Sequence, residues 1–286
     1  FFIITNTIKY KKKPLKLNKN IAVLGCGWLG VPLAKKLIAL GYVVHGSTQT
    51  PSKLSALKSE GIVPFLIGLN ETQTEGDVKA FLKNCHVLII NIPPGLKQHP
   101  HTSFVNKIKS FLFHLDKFNI KVIFVSSTSV FKDTPEISCY DEFTKPNGNL
   151  MSGKQLAETE TLLLSKPHLN TKIIRFGGLF GAGRHPARFL SNRPLKNPNS
   201  PVNLIHLEDC LALILKIIDF KGEPFIFHGI YPNHPKKMNY YSAICETKNI
   251  EPPLATDYPN VGKIINSEIT SKLLNFNYKN NLFVTQ

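Results

Sequence analysis

The sequence predicts an α/β protein built on a doubly wound parallel sheet, with a small carboxy-terminal portion added to it. Three observations carry that expectation. Short β-rich apolar runs alternate with helix-period stripes, a glycine-rich turn stands at the first strand–helix junction, and the texture of the chain changes after Arg175.

The elements follow in order. Ile21–Leu24 is a short apolar run stopped by glycine, as a buried parallel strand requires. From Trp28 to Leu40, apolar residues at 29, 33, 37 and 40 make a helical stripe, and Gly41 stands where a helix C-cap is wanted. Residues 42–45 read as the next strand, 52–59 as a helix and 62–67 as a third strand. A helix over 78–82, a strand over 87–92, an amphipathic helix over 103–118 and the β-branched run Val122–Val125 continue the alternation. A helix over 150–164 and a strand over 171–174 complete it. Residues 177–201, rich in Gly, Pro, Arg and Asn, read as one long loop, and a loop of that length implies function. A helix over 206–219 and a strand over 224–227 follow. Beyond Tyr231 the chain reads as irregular, with one helix near 240–247.

Lysine and arginine total 35 against 19 acidic residues, but most of the cations are scattered. The dense stretch lies between Lys9 and Lys19, and the first carboxylate is Glu60, so the basic character is strongest in the leader. No zinc-finger spacing or RNA-recognition motif accompanies it, which argues for a solvated leader and against a nucleic-acid partner. Five widely spaced cysteines without a CxxC pair indicate neither a disulfide framework nor a metal site. The apolar runs are too short to span a bilayer. A soluble, cytoplasmic protein with reduced thiols and no membrane association is expected.

Gly25-Cys26-Gly27-Trp28-Leu29-Gly30 is a GxGxxG that follows a strand, opens a helix and is succeeded by a second strand. That setting makes it a Rossmann dinucleotide fingerprint. Gly25 allows the tight turn, Gly27 lets backbone approach a pyrophosphate, and Gly30 allows close helix–strand packing. The turn residues Trp28 and Leu29 are placed with the glycines at the cofactor. An acid at the end of the second strand would bind the ribose of NAD. The chain offers Gly46-Ser47-Thr48-Gln49 instead, with Lys53 soon after, so Ser47, Thr48 and Lys53 favour the 2′-phosphate of NADP over NAD. Asn91-Ile92-Pro93-Pro94-Gly95 closes a later strand, which places Asn91 and Pro93 beside the inner half of the cofactor.

Together with this fingerprint, residues 125–131 (Val-Ser-Ser-Thr-Ser-Val-Phe), 175–184 (Arg-Phe-Gly-Gly-Leu-Phe-Gly-Ala-Gly-Arg) and 203–209 (Asn-Leu-Ile-His-Leu-Glu-Asp) resemble an extended, atypical short-chain dehydrogenase/reductase of the nucleotide-sugar epimerase/dehydratase branch. The resemblance covers nearly the whole chain from Asn20 onward. It implies that Ser127, with Thr128 beside it, bonds the substrate oxygen, and that Lys154 holds the nicotinamide ribose. It implies a tyrosine acid/base four residues before that lysine. Leu150 stands there, and leucine exchanges no proton, so Ser127, Ser152 or Tyr140 must supply the group or the redox step is lost. Arg184 and Arg188, in the substrate-facing loop, suit a phosphate or carboxylate. His206 and Asp209 read as structural. Helix-paired homodimers of the family make a homodimer the expected assembly.

The expected organisation is a basic leader over 1–19 and an NAD(P)-binding Rossmann domain over 20–175, its sheet completed by about 205–230. Residues 176–204 and 231–286 form a small substrate-binding portion. Two functions fit: an NAD(P)-dependent oxidoreductase, epimerase or dehydratase acting on a sugar-like small molecule, or a catalytically inactive NAD(P)-binding sensor.

Overall fold

A computed structural model describes residues 19–283, apart from 116, 117, 182, 224, 225 and 258. All of the expected leader except Lys19 lies outside the described residues.

The first strand, β1 (Asn20–Leu24), runs through the glycine turn into α1 (Gly30–Ala39). Then come β2 (Val43–Thr48), α2 (Leu54–Ser59), β3 (Val63–Leu66), a small hairpin of β4 (Gly68–Leu69) and β5 (Thr74–Glu75), α3 (Val78–Leu82) and β6 (Cys85–Ile90). The second half begins with α4 (Phe104–Leu112), β7 (Lys121–Ser127), β8 (Ser138–Tyr140), α5 (Met151–Leu164) and β9 (Lys172–Phe176). The remainder holds β10 (Gly178–Phe180), α6 (Pro186–Leu190), β11 (Leu204–His206), α7 (Leu207–Asp219), β12 (Ile226–Gly229), α8 (Lys237–Thr247), β13 (Lys263–Ile265) and α9 (Glu268–Leu274).

Seven parallel strands form the main sheet in the order β3-β2-β1-β6-β7-β9-β12. The order reverses direction between β1 and β6, which opens a crevice at their carboxyl ends, where ligands of such sheets bind. Helices α1, α2 and α7 pack an aliphatic layer on one face, with Leu33, Leu37, Leu57 and Leu213 buried there. Helices α3, α4 and α5 cover the other face around Phe81, Phe111 and Leu156. Helix α4 shows why the helical stripe was legible: Phe104, Ile108, Phe111 and Leu112 lie on one buried face, and the Ser103 side chain caps the amide of Asn106.

Strand β9 is buried along its whole length although it carries Lys172 and Arg175. Both charges have local partners, which is what makes their burial tolerable. The Lys172 ammonium donates to the Asn170 side chain and the Gly222 carbonyl. The Arg175 guanidinium clasps Glu160 of α5 at 2.6 Å, with arginine and glutamate 1% and 3% exposed. Ser126 donates a further bond to the same carboxylate at 2.6 Å, so β7, β9 and α5 are tied at one buried point.

The segment read as a long loop over 177–201 is more ordered than its composition suggests. It contains β10 and α6, and β10 pairs in parallel with β11. Strand β11, expected to help complete the main sheet, therefore belongs to a separate two-stranded sheet, and β12 alone takes the edge beside β9. The carboxy-terminal portion is likewise less irregular than expected. Strand β13 pairs with β8 and α9 follows it, while α6 and α8 enclose a small core of Phe180, Tyr240, Tyr241 and Ile244.

Candidate functional site

The glycine turn is held by its neighbours on both sides of the crevice. Gly25 adopts φ +105, and its amide donates to the Ser47 hydroxyl at 3.0 Å. The Asn91 side-chain amide donates to the Gly25 carbonyl at 3.0 Å, while the Asn91 backbone amide donates to Leu24. A Cβ on Gly25 would meet the Asn91 carbonyl at 2.5 Å, and one on Gly30 would meet the Gly25 carbonyl at 2.2 Å. Gly27 differs. A Cβ there would meet nothing within 4 Å, and its amide has no protein acceptor among the described residues. A turn with two enforced glycines and one open one, ahead of a helix N-terminus, fits the pyrophosphate of a dinucleotide.

In front of the turn lies a cleft of about 860 Å³. The glycine turn, Ser47–Thr50 with Lys53, and Asn91–Gly95 form three of its sides. Ile67, Leu69, Asn70 and Glu71 from the β4–β5 region, Gln98, His99 and Thr102, and Phe104 and Lys107 of α4 form the rest. The structure thus gathers Gly25, Gly27, Ser47, Thr48, Lys53, Asn91 and Pro93 around one space. Ser47 nevertheless serves the turn more than the space. It is 2% exposed with its hydroxyl engaged by Gly25, whereas Thr48 is half-buried and Lys53 exposed. Leu29 is 4% exposed and belongs to the α1 core, so its side chain faces away from any ligand. Cys26 is buried as well, and desolvation pushes its thiol up to about 12, which keeps it protonated and unreactive.

A second group of expected residues lies at the end of β7. Ser127 closes the strand, and its hydroxyl accepts from the Ser129 amide at 3.2 Å. Thr128 begins a single helical turn and is 7% exposed, so it presents little surface to a substrate. Lys154 stands exposed in the first turn of α5, and that helix is pressed against the turn after Ser127 because residue 153 is glycine. Ser127 and Lys154 thus come from adjoining elements, and neither lines the cleft. At the tyrosine position Leu150 is 64% exposed. Tyr140 is 5% exposed, stacked on Phe131 at 4.7 Å, with its hydroxyl accepting from Asn147, so its phenol is committed to the core.

The two loop arginines meet at one small recess, which they line with Gly183, His185 and Lys248. Arg184 lies with its guanidinium carbon 5.1 Å from the centre of the Trp28 ring, beside the glycine turn. Arg188, in the first turn of α6, also borders a second recess with Ser191, Lys248 and Ile250. His206 is buried and caps α7 by accepting from the Glu208 amide, and Asp209 receives the amides of Lys279 and Asn280.

Sequence reading missed Gly153, Glu71 and Lys107. Gly153 sat inside a helix-like run without a turn signal. The other two reach the cleft only through the β4–β5 hairpin and the packing of α4. Among the described residues, no group of three or more His, Cys, Asp or Glu is arranged to hold a metal ion. No helix there is long and apolar enough to cross a membrane.

The family model for the NAD binding domain of 6-phosphogluconate dehydrogenase matches residues 20–140. Protein YeeZ of Escherichia coli strain K12 is 30% identical over 265 residues, covering 91% of this chain and 96% of that protein. Among solved structures, a functionally unknown conserved protein from Silicibacter pomeroyi superposes with TM-score 0.75 at 18% identity, covering 93% of this chain and 96% of that one. The dTDP-glucose 4,6-dehydratase of Bacillus anthracis, in complex with NAD, gives 0.75 at 15% identity, with 93% of each chain covered. The UDP-glucose 4-epimerase of Thermotoga maritima, with UDP-glucose, gives 0.75 at 17% identity, covering 92% of this chain and 95% of that one.

Proposed function

The chain belongs to the same family as Protein YeeZ, and from that premise we propose that it is an NAD(P)-dependent enzyme of the oxidoreductase, epimerase or dehydratase type acting on a sugar-like substrate. The observation that carries this reading is the enforced glycine turn, braced by Ser47 and Asn91 and facing a cleft large enough for a dinucleotide. The likeness in fold to a nucleotide-sugar dehydratase and an epimerase supports the substrate class.

In this reading the Gly27 amide and the start of α1 receive the pyrophosphate, and the apolar walls at Ile67, Leu69 and Pro93 exclude water from the adenine. Lys53 and Lys107 against the single carboxylate of Glu71 make the described lining net cationic, which supports NADP over NAD. The bound cofactor supplies a nicotinamide carbon for hydride exchange. Ser127, at the carboxyl end of β7, polarises the reacting oxygen, and Lys154 adds positive charge beside the ribose. With Tyr140 buried and Leu150 aliphatic, Ser127 and the half-buried Ser152 are the groups left to relay a proton.

Trp28 is the chain's sole tryptophan, and it sits in the fingerprint itself. Titration with NADPH, exciting the indole and reading energy transfer to the reduced nicotinamide, tests the reading. Saturable transfer, lost in Asn91→Ala, is expected, and no transfer with either NADPH or NADH overturns it. The second reading, a dinucleotide-binding protein without redox chemistry, is favoured by Leu150. It prevails if the protein binds cofactor yet never exchanges isotope from labelled NADPH with any sugar-derived carbonyl.

A further inference from the structure

Arg184 was expected at the substrate; it lines a small recess with Arg188 and Lys248, and its guanidinium also reaches the cofactor turn. It closes a tight hairpin in which the Gly181 amide donates to the Arg184 carbonyl at 2.8 Å and the Arg184 amide donates back to Gly181 at 2.7 Å. Gly181 and Gly183 both take positive φ, as so tight a reversal requires. The hairpin is seated on α7, because a Cβ on Gly181 would come within 2.8 Å of the His206 ring. Arg184 is therefore delivered by a braced turn. Its guanidinium lies over the Trp28 indole, and no carboxylate pairs with it among the described residues.

Trp28 directly follows Gly27, the glycine with open space before it. A planar cation stacked there keeps its N–H donors free at the ring edge, and guanidinium stacking on an aromatic face leaves its charge available to an anion. We propose that Arg184 is a cofactor-clamping residue supplied by the small lobe. It donates to the pyrophosphate at the glycine turn while stacked on Trp28, so that the bound dinucleotide is held from both sides. The inference rests on the dinucleotide reading of the cleft. It places the positive charge outside the βαβ unit, where the GxGxxG alone supplies only backbone amides.

The test is calorimetric titration of the full chain and of Arg184→Gln, Arg184→Lys and Arg184→Ala, with two probes. NADP carries the pyrophosphate. Adenosine 2′-monophosphate keeps the base, ribose and 2′-phosphate but lacks it. Loss of a charge-assisted hydrogen bond predicts roughly ten- to hundredfold weaker NADP binding in Arg184→Gln and Arg184→Ala, with partial retention in Arg184→Lys. Affinity for adenosine 2′-monophosphate should stay within about twofold of wild type, since no contact to that fragment changes. The proposal is overturned if Arg184→Gln binds NADP like wild type, or if both probes weaken together in a variant whose circular dichroism matches wild type. If the wild-type protein takes up neither NADP nor NAD, the dinucleotide reading itself has failed and the clamp fails with it. Circular dichroism on each variant separates any loss of fold, which would also appear as weakening of both probes.

Discussion

A Cβ placed on Gly153 would stand 2.0 Å from the carbonyl oxygen of Ser129. Backbone meets backbone at this point, so neither side can rotate out of the way. Contact between the first turn of α5 and the turn after β7 fixes the element that carries Lys154 against the one that follows Ser127.

Gly153→Ala should therefore destabilise the protein although alanine is the better helix former. The overpacking cost of about 1–3 kcal/mol exceeds the helix gain of about 1 kcal/mol. Thermal unfolding should show a Tm several degrees lower, and catalysis, once a substrate is found, should fall further than stability alone explains. An unchanged Tm would mean that α5 can slide on the turn.

Lys53→Ala should weaken NADP binding by about tenfold and leave NAD within about twofold, because an exposed lysine at the cleft mouth acts on the 2′-phosphate alone. Calorimetry with both cofactors decides it. Equal loss for both would place Lys53 on the shared pyrophosphate or on the fold.

The Arg175–Glu160 pair is buried to within 3% exposure, with Ser126 on the same carboxylate. Removing one partner strands a charge, so Arg175→Met should cost about 3–5 kcal/mol, measured by urea unfolding. Replacing both, as Arg175→Met with Glu160→Leu, should recover much of the loss. A double variant as unstable as the single would show that Ser126 and Phe131, over whose ring Arg175 lies at 5.1 Å, need the ion pair.

Stability should fall as pH drops from about 6.5 towards 4. Burial holds His228 and His185 down to about 4, with Arg175 adding to the effect on the first, and Lys248 and Arg188 on the second. The unfolded chain takes up protons on these rings near 6.5 while the folded protein does not, so each histidine withdraws at most about 3 kcal/mol across that window. Glu142, raised by burial, works in the opposite sense: it keeps its proton longer in the folded state and costs stability as pH rises above the ordinary carboxylate range. His185→Asn keeps the acceptor for the Ala187 amide and should flatten the slope of unfolding free energy against pH between 6.5 and 4. A slope identical to wild type would remove His185 from the account.

What the sequence made legible is what depends on neighbours along the chain. The stripe at 29, 33 and 37, the glycines that bracket α1 and the β-branched run at 122–125 are local patterns, and each became the expected element. Strand β8 finds its partner in β13, more than a hundred residues later, and each is three residues long, so no local period announces either. The same holds at the site. Ser47 reads as a 2′-phosphate-binding hydroxyl by position, but its direction is set by the Gly25 amide across the β1–β2 crossover. Arg184 reads as a substrate residue by its loop, and only the hairpin seated on His206 aims it at Trp28.

The strand order has a consequence for how the chain is made. Synthesis lays down β1 first, extends the sheet to β3 on one side, and then adds β6, β7 and β9 on the other. The edge position is filled only after the chain has left the sheet to build β10, α6, β11 and α7. Throughout that interval the nascent polypeptide displays β9 as a bare margin, with its row of amides and carbonyls open to a neighbouring chain on the same polysome. A message cut short before Ile226 should therefore yield inclusion bodies rather than a smaller folded protein, and the last four-residue strand acts as the seal on everything translated before it.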